Sequence, residues 1–591
     1  MRPQIALVFV AILSGASPLK AQSAPDEPNT IRIETNLVVV DVVVTDSHQH
    51  PIHNLSAADF NLREGGHPQS IKTFEEHTAR ETADTSHLPP PLKLEPGVFT
   101  NDPAIPPSGP LNIVLLDKLN TPMEDQAYSL DQLSLYLKSA PPNTRIAVAR
   151  LTSWQLSLLQ GFTSDPEMLR AAISRKNKDM NASLFLADPV SGGNNTRPGA
   201  DTRYIFRREH TLDALNQLGR YLGRFPGRKN LIWFSASFPF SVLPAGAERR
   251  AVSAASDDEF KETVNLLANN QVSVYPINAH GIITNSWFDA SNHGAATVVS
   301  SNQSLASSID GTSSSAGALR GSMTDIADPT GGKAFTSTND LKGIVAQAID
   351  AGSNYYTLTY SPTSRQWNGR YRKIEIQLDR PGLTLAYRRG YYAIDPNAPA
   401  RPAERQANST DPIPYSPMRA AMGYGAPQPA EIRFDVSVRP STETTEPAPA
   451  PGNHLSPKAK GPFRRYTIHY IAHQRDIQCP PGPAGTNVCV VEFMAFVYDA
   501  DGLRVNTQIN AISAKIDPVY YARLRQPGLN PGFQYHQDIS VPAKGDFYLR
   551  LGIHDRTTDH VGAVELPAAV VSTLPPLPIT PPASASHHPG P

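Results

Sequence analysis

Between residues 111 and 350, short apolar runs alternate with segments in which apolar residues recur every three or four positions. Strands are predicted at 113–116, 145–151, 231–234 and 272–277, and helices at 123–137, 212–225, around 260–267 and at 341–349. The first helix is predicted to bury Met123, Ala127, Leu130 and Leu137 on one face. Because strands alternate with helices, we expect a mainly parallel sheet covered on both faces.

On either side of this region the pattern is that of β-structure. Residues 31–45 are rich in β-branched residues, and three further runs lie at 355–360, 371–378 and 383–392. Neither set is large enough to close a core alone. The sequence therefore predicts one small β domain, formed by residues 22–95 and 354–395, with the α/β domain at 108–350 inserted in it.

The remaining segments differ in composition. Residues 82–110 are Pro-rich and predicted to be a connector, 283–320 are rich in Ser, Gly and Asn and predicted to be a long loop, and 396–430 are predicted to be a Pro/Ala-rich linker. From 431 to 575, apolar residues alternate with polar ones, which predicts a C-terminal antiparallel β-sandwich. Residues 576–591 are predicted to be a disordered tail.

The first residues have the pattern of an export signal. Arg2 precedes an apolar stretch at 5–13, and a small-residue cleavage site ends at Ala21. An uncleaved membrane anchor is the alternative, but the stretch is shorter than the roughly 18 residues that a spanning helix needs. We therefore expect a signal peptide at 1–21 and a periplasmic or secreted mature chain without a membrane span.

The number of cysteines argues against a redox or metal-binding role, and the overall charge argues against nucleic-acid binding. In an exported chain, Cys479 and Cys489 are expected to form a local disulfide, whereas a redox or metal role would need more cysteines. The chain has 53 Lys and Arg against 54 Asp and Glu, a formal net charge of −1. A nucleic-acid-binding protein would show a basic excess, so no nucleic-acid partner is expected.

The candidate site lies where the first apolar run of the α/β region ends. Asp117 closes that run and Thr121 follows it, while Ser235 and Ser237 follow the run at 231–234. In an open α/β sheet, ligands bind just beyond the carboxyl ends of the strands. Enzyme motifs are missing: no His-Glu-x-x-His occurs, Gly311 to Ser315 lacks the closing glycine of a nucleophile elbow, and Gly331 to Ala334 lacks the spacing of a P-loop.

Several segments together resemble a known family. They are the Val-rich run with Asp46, followed by residues 55–66; Phe162 to Asp165; Pro226 to Ser235; Val274 to Ile277; Ala327 to Phe335; and Tyr355 to Tyr392. In these segments the chain resembles the exported von Willebrand factor A-related proteins of the acidobacterial type. The resemblance covers roughly residues 30–395 and implies a von Willebrand factor A-like (Rossmann-like) fold for the α/β domain.

The resemblance also implies a cation site, which this chain matches only in part. The adhesion site of type A domains holds Mg²⁺ through an Asp and two hydroxyls in a first loop, a Thr in a second loop and an Asp in a third. Asp117 and Thr121 match the first loop and Thr211 the second, with helix capping as the alternative role for Thr211. Leu119 replaces a hydroxyl, and Ser235-Ala236-Ser237 stands where the third-loop Asp is expected.

We therefore expect a degenerate metal site with Asp117 and Thr121 as its only metal ligands, no cofactor, and weak Mg²⁺ binding at most. In the alternative, Asp117 caps or orients its own loop. A carboxylate from another loop, Asp188 or Asp325, would restore the site if it reached it.

The expected function is that of an exported, non-enzymatic interaction or adhesion-type module. It would bind a protein or a cell-surface polymer through the loops that carry Asp117, Thr121, Thr211, Ser235 and Ser237. One alternative is a structural cell-envelope component that docks through the C-terminal sandwich. The other is a hydrolase with an unrecognised site near Asp117 and the hydroxyls at 235 and 237. The sequence specifies neither the identity of the ligand nor the oligomeric state.

Overall fold

The computed structural model describes residues 37–48, 50–78, 94–102, 110–141, 144–153, 155–174, 200–239, 247–280, 320–336, 340–395, 417–482, 485–526 and 532–576. Several predicted features lie outside these residues: the signal peptide, nearly all of the loop at 283–320, residues 396–416 of the linker, the tail from 577 onwards, and Asp188.

The described residues form a mixed α/β structure in which most elements are strands. The strands are β1 (Val38–Thr45), β2 (Phe60–Glu64), β3 (His67–Pro68), β4 (Ile71–His77), β5 (Val98–Thr100), β6 (Leu111–Asp117), β7 (Arg145–Leu151), β8 (Leu156–Thr163), β9 (Lys229–Ser235), β10 (Val272–Asn278), β11 (Tyr355–Tyr360), β12 (Tyr371–Leu378), β13 (Thr384–Tyr387), β14 (Gly390–Tyr392), β15 (Phe434–Pro440), β16 (His454–Leu455), β17 (Phe463–Ala472), β18 (Asn487–Asp499), β19 (Arg504–Ile516), β20 (Phe533–Pro542), β21 (Phe547–Asp555) and β22 (His560–Pro567). The α-helices are α1 (Met123–Leu137), α2 (Pro166–Ser174), α3 (Ala200–Leu222), α4 (Ala247–Asn269), α5 (320–330), α6 (Leu341–Asp350), α7 (Pro417–Ala421), α8 (Pro518–Leu524) and α9 (Ala568–Ser572).

The Val-rich strands near the start pair with strands that follow the α/β region. One sheet has the order β13-β1-β11-β4 and another the order β14-β12-β2-β3. Val38 lies opposite Tyr360, and Leu62 lies opposite Ile376. Both sheets contribute to one apolar cluster, which includes Val40, Leu358 and Ile374. Strands before residue 80 and strands after residue 354 therefore share their hydrogen bonds and their core.

The α/β region contains one mixed sheet with the order β10-β9-β6-β7-β8. Strands β10, β9, β6 and β7 are parallel, and β8 runs antiparallel at the edge. All seven residues of β6 are buried, as expected for a strand covered on both faces. Ile113 and Leu115 join a cluster with α3, α4 and α5, whereas Val114 and Leu116 join one with α1, α2 and α6. The coarse prediction of a mixed α/β structure with parallel strands is confirmed.

Two details of this sheet differ from the sequence prediction. Strand β8 was not predicted, because its Leu-Ser-Leu-Leu-Gln-Gly-Phe-Thr sequence lacks a clean alternation. The predicted face of α1 is wrong in its first turns, because Met123 is 70% exposed and Ala127 is exposed, whereas Leu137 is buried as predicted, together with Leu133 and Tyr136. The helix is therefore rotated so that its first residue faces away from the core.

The connector at 82–110 and the C-terminal region are joined by an unexpected strand. Residues Val98–Thr100 form β5, which pairs with β15 and completes a sheet of order β20-β17-β15-β5. Beside it, the Asn101 amide donates to the carbonyls of Pro429 and Ile432 and accepts from the Phe434 amide. The prediction that 82–110 is only a connector is therefore wrong at residues 98–101, because backbone pairing needs no side-chain pattern.

A second antiparallel sheet of the C-terminal region has the order β16-β19-β18-β21-β22. Its inner residues and those of the β15 sheet form one apolar cluster, which includes Val436, Tyr470, Phe493 and Leu551. Cys479 and Cys489 border this cluster and are joined by a disulfide.

The structure describes residues 417–430 of the predicted linker, and these residues pack on the C-terminal region. Residues 417–421 form α7, whose Met418 packs with Met422, Phe496 and Tyr498. The fully buried guanidinium of Arg550 donates to the carbonyls of Ala421 and Pro427. Residues 417–430 thus belong to the C-terminal region, because their methionines and carbonyls satisfy apolar and cationic groups there. Among the described residues, no helix is both long and apolar enough to cross a membrane.

Candidate functional site

The candidate site lies at the carboxyl end of β6. Asp117 is the last residue of β6, and the parallel register that pairs Leu116 with Phe234 brings it beside Ser235, the last residue of β9. Both side chains are buried, at 2% and 0% exposure. The sheet therefore brings together two of the residues that the sequence analysis singled out.

The Asp117 carboxylate is surrounded by donors from the protein. Its Oδ1 accepts the backbone N–H of Asn120 at 3.0 Å. Its Oδ2 lies 2.8 Å from the Asn120 Nδ2, 3.1 Å from the Trp233 Nε1 and 2.9 Å from the Ser235 Oγ, all of which donate to it. Burial raises the pKa of Asp117, and these hydrogen bonds act in the opposite direction.

Asn120 connects this carboxylate to the helix that carries Thr211. The Asn120 Nδ2 donates to the Thr211 Oγ1 at 2.8 Å as well as to Asp117. Its Oδ1 accepts a hydrogen bond of 2.9 Å from the Arg207 Nε. The Asn120 amide is thus oriented by the Arg207 donor at its oxygen and by the Asp117 and Thr211 acceptors at its nitrogen.

Arg207 extends the network to the loop after β9. Its terminal NH₂ group donates to the Ser237 Oγ at 3.0 Å, and both side chains are half-buried. The Ser235 hydroxyl also lies 2.8 Å from the carbonyl of Ser237. We call the group of Asp117, Asn120, Arg207, Thr211, Ser235 and Ser237 the Asp117 network.

The structure places Thr121 and Thr211 differently from the sequence expectation. Thr211 lies inside α3, which begins at 200, so the alternative that it caps a helix is wrong. Its hydroxyl donates to the Arg207 carbonyl one turn earlier. Thr121 is buried, and its Oγ1 accepts the Ala236 N–H at 3.2 Å. Thr121 therefore ties the β6 loop to the β9 loop.

The residues present do not fit a Mg²⁺ ion held by Asp117 and Thr211. Mg²⁺ needs near-octahedral oxygen ligands at about 2.0–2.1 Å. The Asn120 amide nitrogen, a donor, lies within 2.8 Å of both oxygens that would share such an ion. Leu119 is 3% exposed and packs in the apolar cluster below the site. The oxygens of this degenerate site are satisfied by the chain itself.

Other observations agree with this result. The cavity that borders Asp117 and Thr121 has a volume of about 20 Å³, roughly enough for one water molecule. Among the described residues, no group of three or more His, Cys, Asp or Glu side chains is arranged to hold a metal. Asp325 lies on α5, where burial and the nearby charge of Asp328 raise its pKa.

Sequence analysis missed Asn120, Arg207 and Trp233. Asn120 is three residues from Asp117, and a residue of that type can bond to a nearby carboxylate, so a local signal existed. Arg207 and Trp233 are 87 and 116 residues away from the side chains they contact. Only the fold brings them to the site. The chain matches no protein-family model and no curated protein sequence.

Proposed function

We propose that this chain is an exported, non-enzymatic interaction module that binds a protein or a cell-surface polymer through the loops above β6 and β9. In this proposal, residues 108–350 form a von Willebrand factor A-like domain inserted in a small β domain, followed by a C-terminal antiparallel β-sandwich. The motivating resemblance is to von Willebrand factor A-related proteins of the acidobacterial type.

The fold supports the first part of this proposal. Four parallel strands with helices on both faces give a sheet whose carboxyl edge is a place for ligand recognition. The pairing of strands from residues 38–77 with strands from 355–392 is what an inserted domain requires. The two C-terminal sheets share one apolar cluster, as the layers of a sandwich do.

The Asp117 network is the single observation that favours binding over turnover. A catalytic acid or base must reach a substrate proton, at about 2.6–3.2 Å. The Asp117 carboxylate is fully engaged by four donors, and Ser235 is engaged by Asp117 itself. The network therefore serves to hold the β6 and β9 loops in one arrangement, and recognition falls to the side chains on their outer surface.

An exposed apolar side chain stands at that surface. Met123 follows Thr121 by two residues and is 70% exposed, at the first position of α1. Methionine is enriched in the cores of protein interfaces relative to the rest of the protein surface. Because Thr121 is fixed to the β9 loop, the position of Met123 is fixed with it.

Export is supported by one further observation. Disulfides persist in oxidising compartments and are rare in the cytosol. Cys479 and Cys489 are joined in this chain, which favours a periplasmic or secreted location.

The test compares two exposed apolar residues on the same helix. M123E in the full chain should lower capture of an envelope partner, identified by cross-linking and mass spectrometry, by at least tenfold. L135E is the matched control, because Leu135 is 46% exposed on α1 about three turns away. Retained capture by M123E with both variants folded would exclude the β6 loop as the binding surface and would favour docking through the C-terminal region.

A further inference from the structure

A cleft lies at one end of the C-terminal region, far from the Asp117 network. It has a volume of about 370 Å³ and is bordered by the segment after β16, the turn between β18 and β19, and the turn between β20 and β21. Three separate loops thus meet at one place. No motif in the sequence indicates this cleft.

The charge of the cleft is strongly positive although the whole chain is nearly neutral. Its lining includes Lys458, Lys460, Arg504 and Lys544 but a single carboxylate, Asp499. Asp499 accepts the backbone N–H groups of Asp501 and Leu503, so its charge is already engaged within its own turn. Arg504 lies over the Phe496 ring, so the positive charges that the lining does not neutralise are those of the three lysines.

The three lysines of the cleft are exposed, and their charges indicate a partner outside the chain. Within the described part of the chain, Lys458, Lys460 and Lys544 form no ion pair with a carboxylate. Like charges placed together repel each other, and an arrangement of this kind is relieved when an anion binds. Solvent alone screens such a cluster only in part at low ionic strength.

Apart from Ser456, the remaining lining is apolar or glycine, with Phe547, Pro462 and Leu503 along the wall. Leu503 is 53% exposed. Pockets that bind small molecules have volumes of about 300–1,000 Å³ and combine apolar walls with a few polar groups. Since a water molecule occupies about 30 Å³ in the liquid, the cleft has room for about a dozen waters, or one small organic anion.

We propose that this cleft binds a multiply charged organic anion, with carboxylate or phosphate groups held by Lys458, Lys460 and Lys544 and its apolar face against Phe547. Such an anion is either a free small molecule or one unit of an acidic polymer. The shared chemistry is at least two negative groups on a compact body, because a single charge would leave most of the positive excess unpaired.

The position of the cleft makes this site independent of the proposed function. Phe547 begins β21, and the turn that follows the end of β21 contacts α3 through the Asp559 carbonyl and Arg220. Eight residue steps of about 3.3 Å put these two ends of β21 roughly 26 Å apart. Variation at Met123 should leave anion binding unchanged, and variation in the cleft should leave the β6 loops unchanged.

Isothermal titration calorimetry of the full chain with citrate, fructose 1,6-bisphosphate and trigalacturonate tests the proposal. At least one of these anions should bind, and the K460Q/K544Q variant should weaken that binding by about tenfold or more. The affinity should fall as NaCl is raised from 50 to 300 mM. Tighter binding of trigalacturonate than of citrate would identify a polymer-borne carboxylate as the source, and the reverse would identify a free anion.

The controls separate a built site from general attraction. K515Q removes an exposed lysine of the same region that does not line the cleft, and it should bind like the wild type. Substitutions of exposed lysines rarely unfold a protein, and an unchanged melting temperature verifies this. The absence of binding by all three anions at 5 mM, equal loss in K515Q, or equal binding of neutral maltotriose would overturn the proposal.

Discussion

The Asp117 network and a group around His554 both bury an ionisable side chain, but they surround it with different partners. Asp117 receives four hydrogen bonds from neutral donors. His554, on β21, is 5% exposed and lies between two carboxylates: its Nδ1 is 2.8 Å from the Glu492 Oε2 and its Nε2 is 2.8 Å from the Asp559 Oδ1. Neutral hydrogen-bond donors hold the Asp117 carboxylate, and two charged carboxylates hold the His554 ring.

The pKa of each group follows from these surroundings. Burial raises the pKa of Asp117 and the neutral donors oppose that change. For His554, burial lowers the pKa, but the hydrogen bonds and charges of Asp559 and Glu492 outweigh it and raise the pKa to about 9. His554 therefore donates from both nitrogens at neutral pH, and the response to pH should distinguish the two groups.

The largest effect is expected from D117A. Removing the carboxylate leaves the Asn120 N–H and the Trp233 Nε1 without an acceptor, and each such loss costs about 1–3 kcal/mol. The Asn120 side-chain amide and the Ser235 hydroxyl each lose one of two acceptors. Some relaxation is expected, so the total should be about 3–5 kcal/mol. Differential scanning calorimetry should show the transition of the α/β region lowered by roughly 6–12 °C or more.

The matched variant is D117N, which keeps one oxygen for the three donors at Oδ2. Its amide group would face the Asn120 N–H, so the cost should be smaller, about 1–2 kcal/mol. Equal and small effects of D117A and D117N would contradict the account of Asp117 as the centre of the network.

The second effect is a loss of stability above neutral pH that depends on His554. Because its folded pKa of about 9 lies above the ordinary value of 6.5, the stabilisation is complete below about pH 6.5 and is lost as the pH rises through about 9. The maximum loss is about 3 kcal/mol. The melting temperature of the wild type should fall between pH 7 and pH 10 by more than that of H554Q.

Two comparisons isolate this effect. The exposed His454 is the control, and H454Q should keep the pH response of the wild type. Lys229 contributes in the opposite direction, because burial lowers its pKa to about 8 and its neutralisation then stabilises the fold as the pH rises. The difference between wild type and H554Q removes that contribution. A zero difference would mean that His554 is not charged at neutral pH.

The smallest effect is expected from divalent cations. A site with a Kd of 1 mM would stabilise the fold by about 1.4 kcal/mol at 10 mM ligand. Because the Asn120 amide lies between the Asp117 and Thr211 oxygens, we expect 10 mM MgCl₂ or EDTA to change the melting temperature by less than about 1 °C. Micromolar Mg²⁺ or Ca²⁺ affinity that is lost in D117A would show that the loop rearranges to admit an ion.

The two regions also differ in what their sequences predict. The apolar run at 113–116 is followed directly by an acid, so the sequence pattern alone identified Asp117 and its neighbour Ser235. Asn120 was within reach of the same reasoning, whereas Arg207 depends on how α3 packs. No pattern marks His554, because Glu492 is 62 residues away on the neighbouring strand.

Pairing between distant segments was the least predictable feature. The Val-rich runs predicted β-structure correctly, since alternation and β-branching act locally. Strand β5 is only three residues long. Its Thr100 bonds to Phe434 on the partner strand β15, 334 positions later in the chain. The sequence predicts a linker at residues 417–430 because proline and alanine dominate their composition. Two methionines in this segment, Met418 and Met422, nevertheless pack on the last sheet.

The position of β5 also has a consequence for how the chain is made. A chain that emerges amino end first presents residues 98–100 well before Phe434, which lies 334 positions after Thr100 and with which they form a sheet. During that interval this segment has no strand to pair with, and the β6 sheet behind it can already fold. The C-terminal region must then add its strands onto a segment held in place by earlier folding. The first part of the chain therefore supplies the edge strand β5 onto which the C-terminal region assembles. A C-terminal fragment made separately would lack β5, and β15 would be left as an edge strand unpaired on that side.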